Sequence, residues 1–273
     1  MGRELRRLLV PPARLASPEC AATGLLPLEA AELHYLRRVL RFRPGDRLAV
    51  VDGCGRLWTA LLAAADAVQL EQKPAEPLQL EPAPRLQLQL AMAVPRRDAE
   101  LVWRMATELG GDVLQPLLAE RTNVREKLPL ARWGTIVAEA AEQCERLWLP
   151  ELLPPQPAAD WFACGQAQGQ TQGLRLLATT RHGDLARLES ALESALASGL
   201  IGWSAIGLGP VTLAVGPEGG WSEAEELQAF TAGWQPVSLG ETILRTSTAA
   251  VAGLARLIAW RDALSASSPS PCP

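Results

Sequence analysis

The chain has 273 residues, 48% of them hydrophobic, with a formal net charge of −4. That length exceeds a typical domain of roughly 100–200 residues and the apolar content supports sizeable cores, so two domains are expected and a disordered or fibrous chain is excluded. No apolar run approaches the length of a membrane span, and the charged N-terminus lacks a secretory pattern, so a cytoplasmic protein is expected.

In chain order, Leu28 to Val39 reads as a helix carrying a basic run (Arg37, Arg38, Arg41 and Arg43) that Pro44-Gly45 ends. Leu48 to Asp52 and Leu57 to Leu62 read as two strands joined by a Gly53-Cys54-Gly55 turn. Residues 1–73 form the expected first domain, with ten Arg against seven Asp and Glu in residues 1–70. Either phosphate-contacting arginines or a solvated basic face explains that excess. Four prolines between Lys73 and Pro84 mark residues 74–84 as a stiff linker or edge segment.

From Arg85 strands and helices alternate. Leu86 to Val94 alternates like a strand and Asp98 is placed to cap a helix through Leu109, which Gly110-Gly111 stops. A short strand follows near Val113–Leu118, then a basic loop with Arg121 and Arg125 and a helix from about Leu130 to Arg146. Residues 156–173 read as loop with a short helix, Leu174 to Thr179 as a strand, and Asp184 as the cap of a helix to about Leu196. Val211–Val215 and Val237–Leu239 read as further strands. This order predicts an α/β domain over residues 85–264 with a mostly parallel sheet and helices on both faces. Residues 265–273 read as a disordered Ser/Pro-rich tail. The five cysteines form no CxxC pair and only two histidines exist, His34 and His182, so neither a disulfide framework nor a metal site is expected.

The strongest chemical signal is Thr212-Leu-Ala-Val-Gly-Pro-Glu-Gly-Gly-Trp-Ser-Glu-Ala-Glu225. A buried strand ends in a turn holding Gly216, Gly219 and Gly220, and a helix follows with Ser222 and Glu225 in capping-box spacing. The pattern matches neither the P-loop nor GxGxxG. Carboxylates already complement that helix N-terminus, which disfavours a phosphate and favours a zwitterionic or adenine-bearing ligand. A tight turn without a ligand is the alternative. A second turn, Ser238 to Arg245, repeats the strand–glycine–helix arrangement and leads into an Ala-rich helix apolar nearly all round, which must be buried, in part against another subunit. Arg245 is either a salt-bridge partner of Glu218 or Glu241, or a substrate contact.

Gly216-Pro-Glu-Gly-Gly, Leu239-Gly240 and Ile243-Leu244-Arg245 ahead of that helix resemble the RsmE family of small-subunit rRNA uridine methyltransferases, of the SPOUT superfamily. His34 to Arg41 with Pro44-Gly45-Asp46, Ala106 to Gly110, and Glu139 to Arg146 extend the resemblance over almost the whole chain. The resemblance implies a small PUA-like β-barrel domain followed by a SPOUT domain with a C-terminal trefoil knot, a rare exception to unthreaded topology. It implies S-adenosylmethionine held by Thr179, Gly216, Pro217, Glu218, Gly219, Gly220, Leu239, Gly240, Ile243 and Leu244. It also implies methyl transfer to uridine N3 of 16S rRNA or the assembled 30S particle by a homodimer, with no membrane or metal partner. Arg245 and Glu218 are the catalytic candidates, although capping or pairing with Arg245 is the other role open to Glu218. Arg7, His34, Arg38, Arg41, Arg96 and Arg97 are the RNA-binding candidates. The sequence departs from the family pattern at Met105, Thr242 and Ser247. The Thr242 and Ser247 departures motivate one rival, a ribosome-assembly protein with a vestigial fold; a SPOUT ribose 2′-O-methyltransferase is a second.

Overall fold

A computed structural model describes residues 5–64, 66–122, 128–164, 173–180, 183–200 and 209–267. Arg125, residues 165–172 of the expected loop, His182 and the end of the tail lie outside the described residues. The chain divides into two compact units, residues 1–83 with 138–149, and residues 84–137 with 150–273.

The first unit is a six-stranded sheet of β1 (Arg7–Leu9), β2 (Leu25–Pro27), β3 (Arg47–Val51), β4 (Arg56–Leu62), β5 (Ala67–Leu70) and β6 (Gln79–Leu80). The order is β1-β3-β4-β5-β2 with β6 on β4; only β1–β3 is parallel. The end strands of this order are β1 and β2, and among the described residues no ladder joins them. The β3–β4 turn is built by Asp52, whose carboxylate accepts the Cys54 N–H (2.8 Å), the Arg56 N–H (3.1 Å) and Arg56 Nε (2.6 Å). Alternate strand residues bury Leu48, Val50, Trp58, Leu62 and Val68 in one core. Three short helices accompany the sheet: α1 (Pro12–Leu15), α2 (Pro18–Thr23) and α3 (Ala30–His34). The helix expected from Leu28 begins at Ala30 and loosens into one π turn, Tyr35–Val39.

Two segments outside the expected strands complete this unit. The proline-rich stretch contributes β6, because Glu81 and Leu78 donate their N–H groups to Gly55 and Leu57 carbonyls. A Cβ on Gly55 would stand 2.3 Å from the Glu81 carbonyl, so only glycine admits that approach. Residues 138–149 also belong to this unit: Glu142 accepts the Leu9 N–H (2.6 Å), and Leu147 accepts that of Gly55.

The second unit is an α/β domain. Its strands are β7 (Leu88–Ala93), β8 (Val113–Leu118), β9 (Glu151–Leu152), β10 (Gln156–Pro157), β11 (Arg175–Ala178), β12 (Val211–Val215) and β13 (Gln235–Val237). Every ladder is parallel, in the order β10-β8-β7-β12-β11-β13 with β9 on β8. The helices are α4 (Ala99–Leu109), α5 (Leu130–Gln143, divided between the units at residue 138), α6 (Ala158–Cys164), α7 (Leu188–Ala197), α8 (Glu223–Thr231) and α9 (Thr246–Ser267). Strand alternation sorts the two faces. Leu88, Leu90 and Met92 join Val102, Trp103 and Leu254 from α4 and α9. Ala91 and Ala93, being small, leave room on the other face for Phe162, Trp221 and Trp234, whose rings pack 5.2–5.3 Å apart about Phe162.

Two local expectations are corrected. Asp98 stands at the start of α4 with φ 68° and makes no side-chain cap bond, because its left-handed backbone turns the carboxylate away from the helix amides. Asp184 does not cap α7, which begins at Leu188 behind Arg187. α9 buries one face only, Ala249, Ala250, Leu254 and Leu257, and its other faces are half-buried or exposed. A buried pair, Arg261 Nη1 to Asp112 Oδ2 at 2.5 Å, fastens α9 to the sheet.

Candidate active site

Parallel register brings three strand ends level: Ala178 lies opposite Val215 on β12 and opposite Val237 on β13. Ligands in open parallel sheets bind outside such carboxyl ends. The residues leaving them are Thr179, Gly216 and Ser238, so both glycine turns emerge at one place.

The first turn closes through the Gly220 N–H on the Pro217 carbonyl (2.8 Å) and runs into α8 through the expected capping box, Glu225 N–H to Ser222 Oγ (3.2 Å) and Ser222 N–H to Glu225 Oε2 (2.9 Å). Trp221 turns beneath it and donates Nε1 to the Ala178 carbonyl (3.2 Å), so a Cβ on Gly216 would lie 3.1 Å from the indole. In the second turn Ser238 Oγ accepts the Gly240 N–H (3.2 Å), and Gly240 has φ 151°. Thr246, at the start of α9, donates its hydroxyl to the Gly216 carbonyl (2.8 Å) and ties the two turns together. Behind the third strand end, Thr179 Oγ1 donates to the buried Glu226 carboxylate (2.8 Å).

Together these groups enclose a cleft of about 250 Å³. Thr179, Gly216, Pro217, Glu218, Gly220, Leu239, Gly240, Ile243 and Leu244 line it, as do Thr180, Trp221, Thr242 and Thr246. Gly219 does not: it is exposed, and a Cβ there would meet Arg121 at 3.2 Å. Arg245 is exposed outside the lining and makes no ion pair among the described residues; Glu241 pairs instead with Arg187 (3.1 Å) and Glu218 is exposed. The described lining contains no lysine or arginine, and its walls are mostly apolar carbons and glycine backbone. The N–H groups of Thr242, Ile243 and Leu244 have no partner among the described residues. Amides without a partner beside apolar walls suit the acceptor edge and the faces of a purine, and no cation in the described lining is placed to neutralise a polyphosphate. Among the described residues no cluster of His, Cys, Asp and Glu could hold a metal.

Thr246 and Trp221 line the cleft and were not among the site residues expected from the sequence. Thr246 stood among several Thr and Ser residues suited to capping, and nothing local marks which hydroxyl reaches a turn thirty residues away.

The arginine candidates fall in both units. In the first, Arg41 lines a groove of about 1030 Å³ with Arg6, Arg43 and Arg47. Arg7 lines it too, but its side chain is only 13% exposed and is paired with Glu145 at 3.0 Å. His34 and Arg38 are exposed outside the groove. Glu142 lies at the groove floor, its carboxyl pushed up to about 6 by burial, with Glu139 and Glu32 adding to the shift and the Leu9 N–H opposing it. In the second unit Arg96 and Arg97 are exposed in a cleft of about 500 Å³ at the end of β7, together with Arg104.

Comparison with known proteins accords with this geometry. Residues 81–258 match an RNA methyltransferase domain model and residues 28–71 an RNA methyltransferase PUA domain model. The chain is 38% identical over 250 residues to ribosomal RNA small subunit methyltransferase E of Synechocystis sp., covering 89% of this chain and 76% of that protein. It is 31% identical over 251 residues to the Mycobacterium tuberculosis protein of the same name, covering 87% and 86%. A solved structure of a ribosomal RNA small subunit methyltransferase E from Neisseria gonorrhoeae, bound to S-adenosyl methionine, superposes with a TM-score of 0.72 at 28% identity, covering 94% of this chain and 98% of that one. Matched by the methyltransferase model over residues 81–258 and by a relative 38% identical across 89% of its length, this chain belongs to the family of ribosomal RNA small subunit methyltransferases E.

Proposed function

We propose that the protein methylates N3 of a uridine in small-subunit ribosomal RNA, with S-adenosylmethionine as methyl donor. The observation that carries this is the meeting of two glycine turns, joined by Thr246, around a cleft at the ends of β11, β12 and β13 whose described lining holds no lysine or arginine. Bound there, S-adenosylmethionine supplies an electrophilic methyl group. The chain's own residues do the rest. The free amides of Thr242 to Leu244 and the Leu239 and Leu244 side chains hold a purine. Thr179, fixed by Glu226, borders the third side of the cleft. Holding the two reacting atoms in line removes much of the entropic barrier to a displacement.

Uracil N3 carries a proton that must leave. Glu218 is the only carboxylate lining the cleft among the described residues and is the acceptor in this reading. Arg245, without an ion-pair partner among the described residues, stabilises the charge that develops on the uracil carbonyl oxygens. Arg41 with the groove arginines, Arg7, Arg38, His34, and Arg96 with Arg97 contact RNA phosphates, and a splayed-out base reaches the cleft.

The enzyme acts in the cytoplasm as a homodimer, on rRNA within the 30S particle, with its C-terminal chain threaded as a trefoil knot. The half-covered apolar faces of α9 support the dimer, and no helix among the described residues is long and apolar enough to cross a membrane. Incubation with radiolabelled methyl donor and unmethylated 30S particles or 16S rRNA, followed by nucleoside analysis, tests the proposal. Label in N3-methyluridine is expected. Label on a ribose 2′-oxygen, or donor binding without transfer, would replace it with one of the two rival functions.

A further inference from the structure

The loop after β8 reaches across the end of β7 to the glycine turn that follows β12 and holds it at three points. Arg121 Nη1 donates to the Trp221 carbonyl (2.8 Å) and to the Gly219 carbonyl (3.3 Å). The Glu120 N–H donates to Glu225 Oε1 (2.8 Å), while the other oxygen of that buried carboxylate holds the Ser222 N–H (2.9 Å). The Arg121 stem lies against Gly219, whose added Cβ would stand 3.2 Å from the Arg121 Cβ and 3.5 Å from its Cδ. Gly219 is therefore small to admit the arginine, whereas Gly216 and Gly220 border the cleft itself.

We infer that Arg121 is a positioning residue for the methyl-donor site: without touching the donor, it sets the carbonyls of Gly219 and Trp221 and so the shape of the turn that forms one wall of the cleft. Two features make the turn dependent on it. Carbonyl oxygens packed in a strand-to-helix turn need donors, and a guanidinium supplies a charge-assisted one. Trp221 to Ala178 and Thr246 to Gly216 hold the inner side of the turn. Arg121 holds its outer side. The inference rests on the cleft being the S-adenosylmethionine site.

Isothermal titration of S-adenosylhomocysteine into the full-length protein, without RNA, provides the test. Arg121→Met keeps the stem and removes the donors, and its dissociation constant is expected to rise about tenfold, the scale of a charge-assisted hydrogen bond. Arg121→Lys restores one donor and is expected to recover most of that loss. Gly219→Ala, at a residue outside the cleft, crowds the stem and is expected to weaken binding in the same sense. Because both changes act through one contact, the Arg121→Met/Gly219→Ala double variant should bind no worse than the weaker single variant. In turnover assays the loss should fall on KM for the donor rather than on kcat. Wild-type affinity in folded Arg121→Met overturns the inference, as does a lowered melting temperature with unchanged affinity, which is the mark of a purely structural arginine. If Arg121→Met fails to fold, Arg121→Lys and Gly219→Ala decide: wild-type affinity in both rejects the inference. Failure of the wild-type protein to bind the ligand would instead reject the donor site.

Discussion

Replacing Thr246 with valine removes one hydroxyl and almost no volume. The side chain is 3% exposed and its Oγ1 donates to the Gly216 carbonyl at 2.8 Å, the direct bond between the two turns. A neutral hydrogen bond contributes about 0.5–1.5 kcal/mol net, and a buried acceptor left without a donor costs about 1–3 kcal/mol. Gly216 is half-buried beside an open cleft, so water can replace part of the lost donor, and the lower part of that range applies: about 1–1.5 kcal/mol. For a domain of this size that is a fall of roughly 2–6 °C in melting temperature. If the bond sets the spacing of the turns, most of the same energy reappears in ligand affinity, a five- to tenfold rise in the dissociation constant of S-adenosylhomocysteine. Scanning calorimetry and titration of wild type, Thr246→Val and Thr246→Ser measure both quantities, and the serine variant, which keeps the hydroxyl, should bind like wild type. A valine variant that binds within twofold of wild type would show that the turns hold their spacing without this bond, and the account of the cleft would have to be abandoned.

Other outcomes follow from the same structure. Gly240→Ala should weaken donor binding severalfold while leaving packing intact, since no atom lies within 4 Å of an added Cβ but φ 151° strains any L-residue; titration calorimetry measures it. Asp112→Ala should destabilise the second unit by about 2–3 kcal/mol in urea unfolding, because it takes the carboxylate from the Arg261 guanidinium, which keeps the Gly110 and Leu86 carbonyls, and removes the acceptor of the Leu88 N–H. Glu142 holds its proton more tightly in the folded state, about 6 against the ordinary 4.5, so its contribution to stability is greatest below pH 4.5 and is lost as pH rises to about 6. The loss is about 2 kcal/mol at 1.36 kcal/mol per unit. Glu142→Gln should flatten that slope in urea titrations between pH 4.5 and 7, and an unchanged slope would assign it to other groups.

Much of this protein is determined by sequence alone, wherever the signal is local. The strand at Val211–Val215 is a continuous apolar run, the Ser222–Glu225 box declares the start of α8, and Gly110 stops α4 in a left-handed cap. Backbone propensity and capping act within a few residues, so these elements are visible in the string. The glycines of both turns were legible for the same reason, and with them most of the cleft lining.

Tertiary structure alone decided which groups meet. Arg121 lies about a hundred residues from the carbonyls it holds, and Thr246 selects Gly216 through the β12-β11-β13 register. Residues 138–149 turned from the α/β domain to the first unit through Glu142 and Leu147, bonds that no local pattern encodes. The same holds for Gly219, read from the string as a cofactor glycine and placed by the fold against an arginine stem. A glycine records that space is needed; only the packed chain shows what fills it.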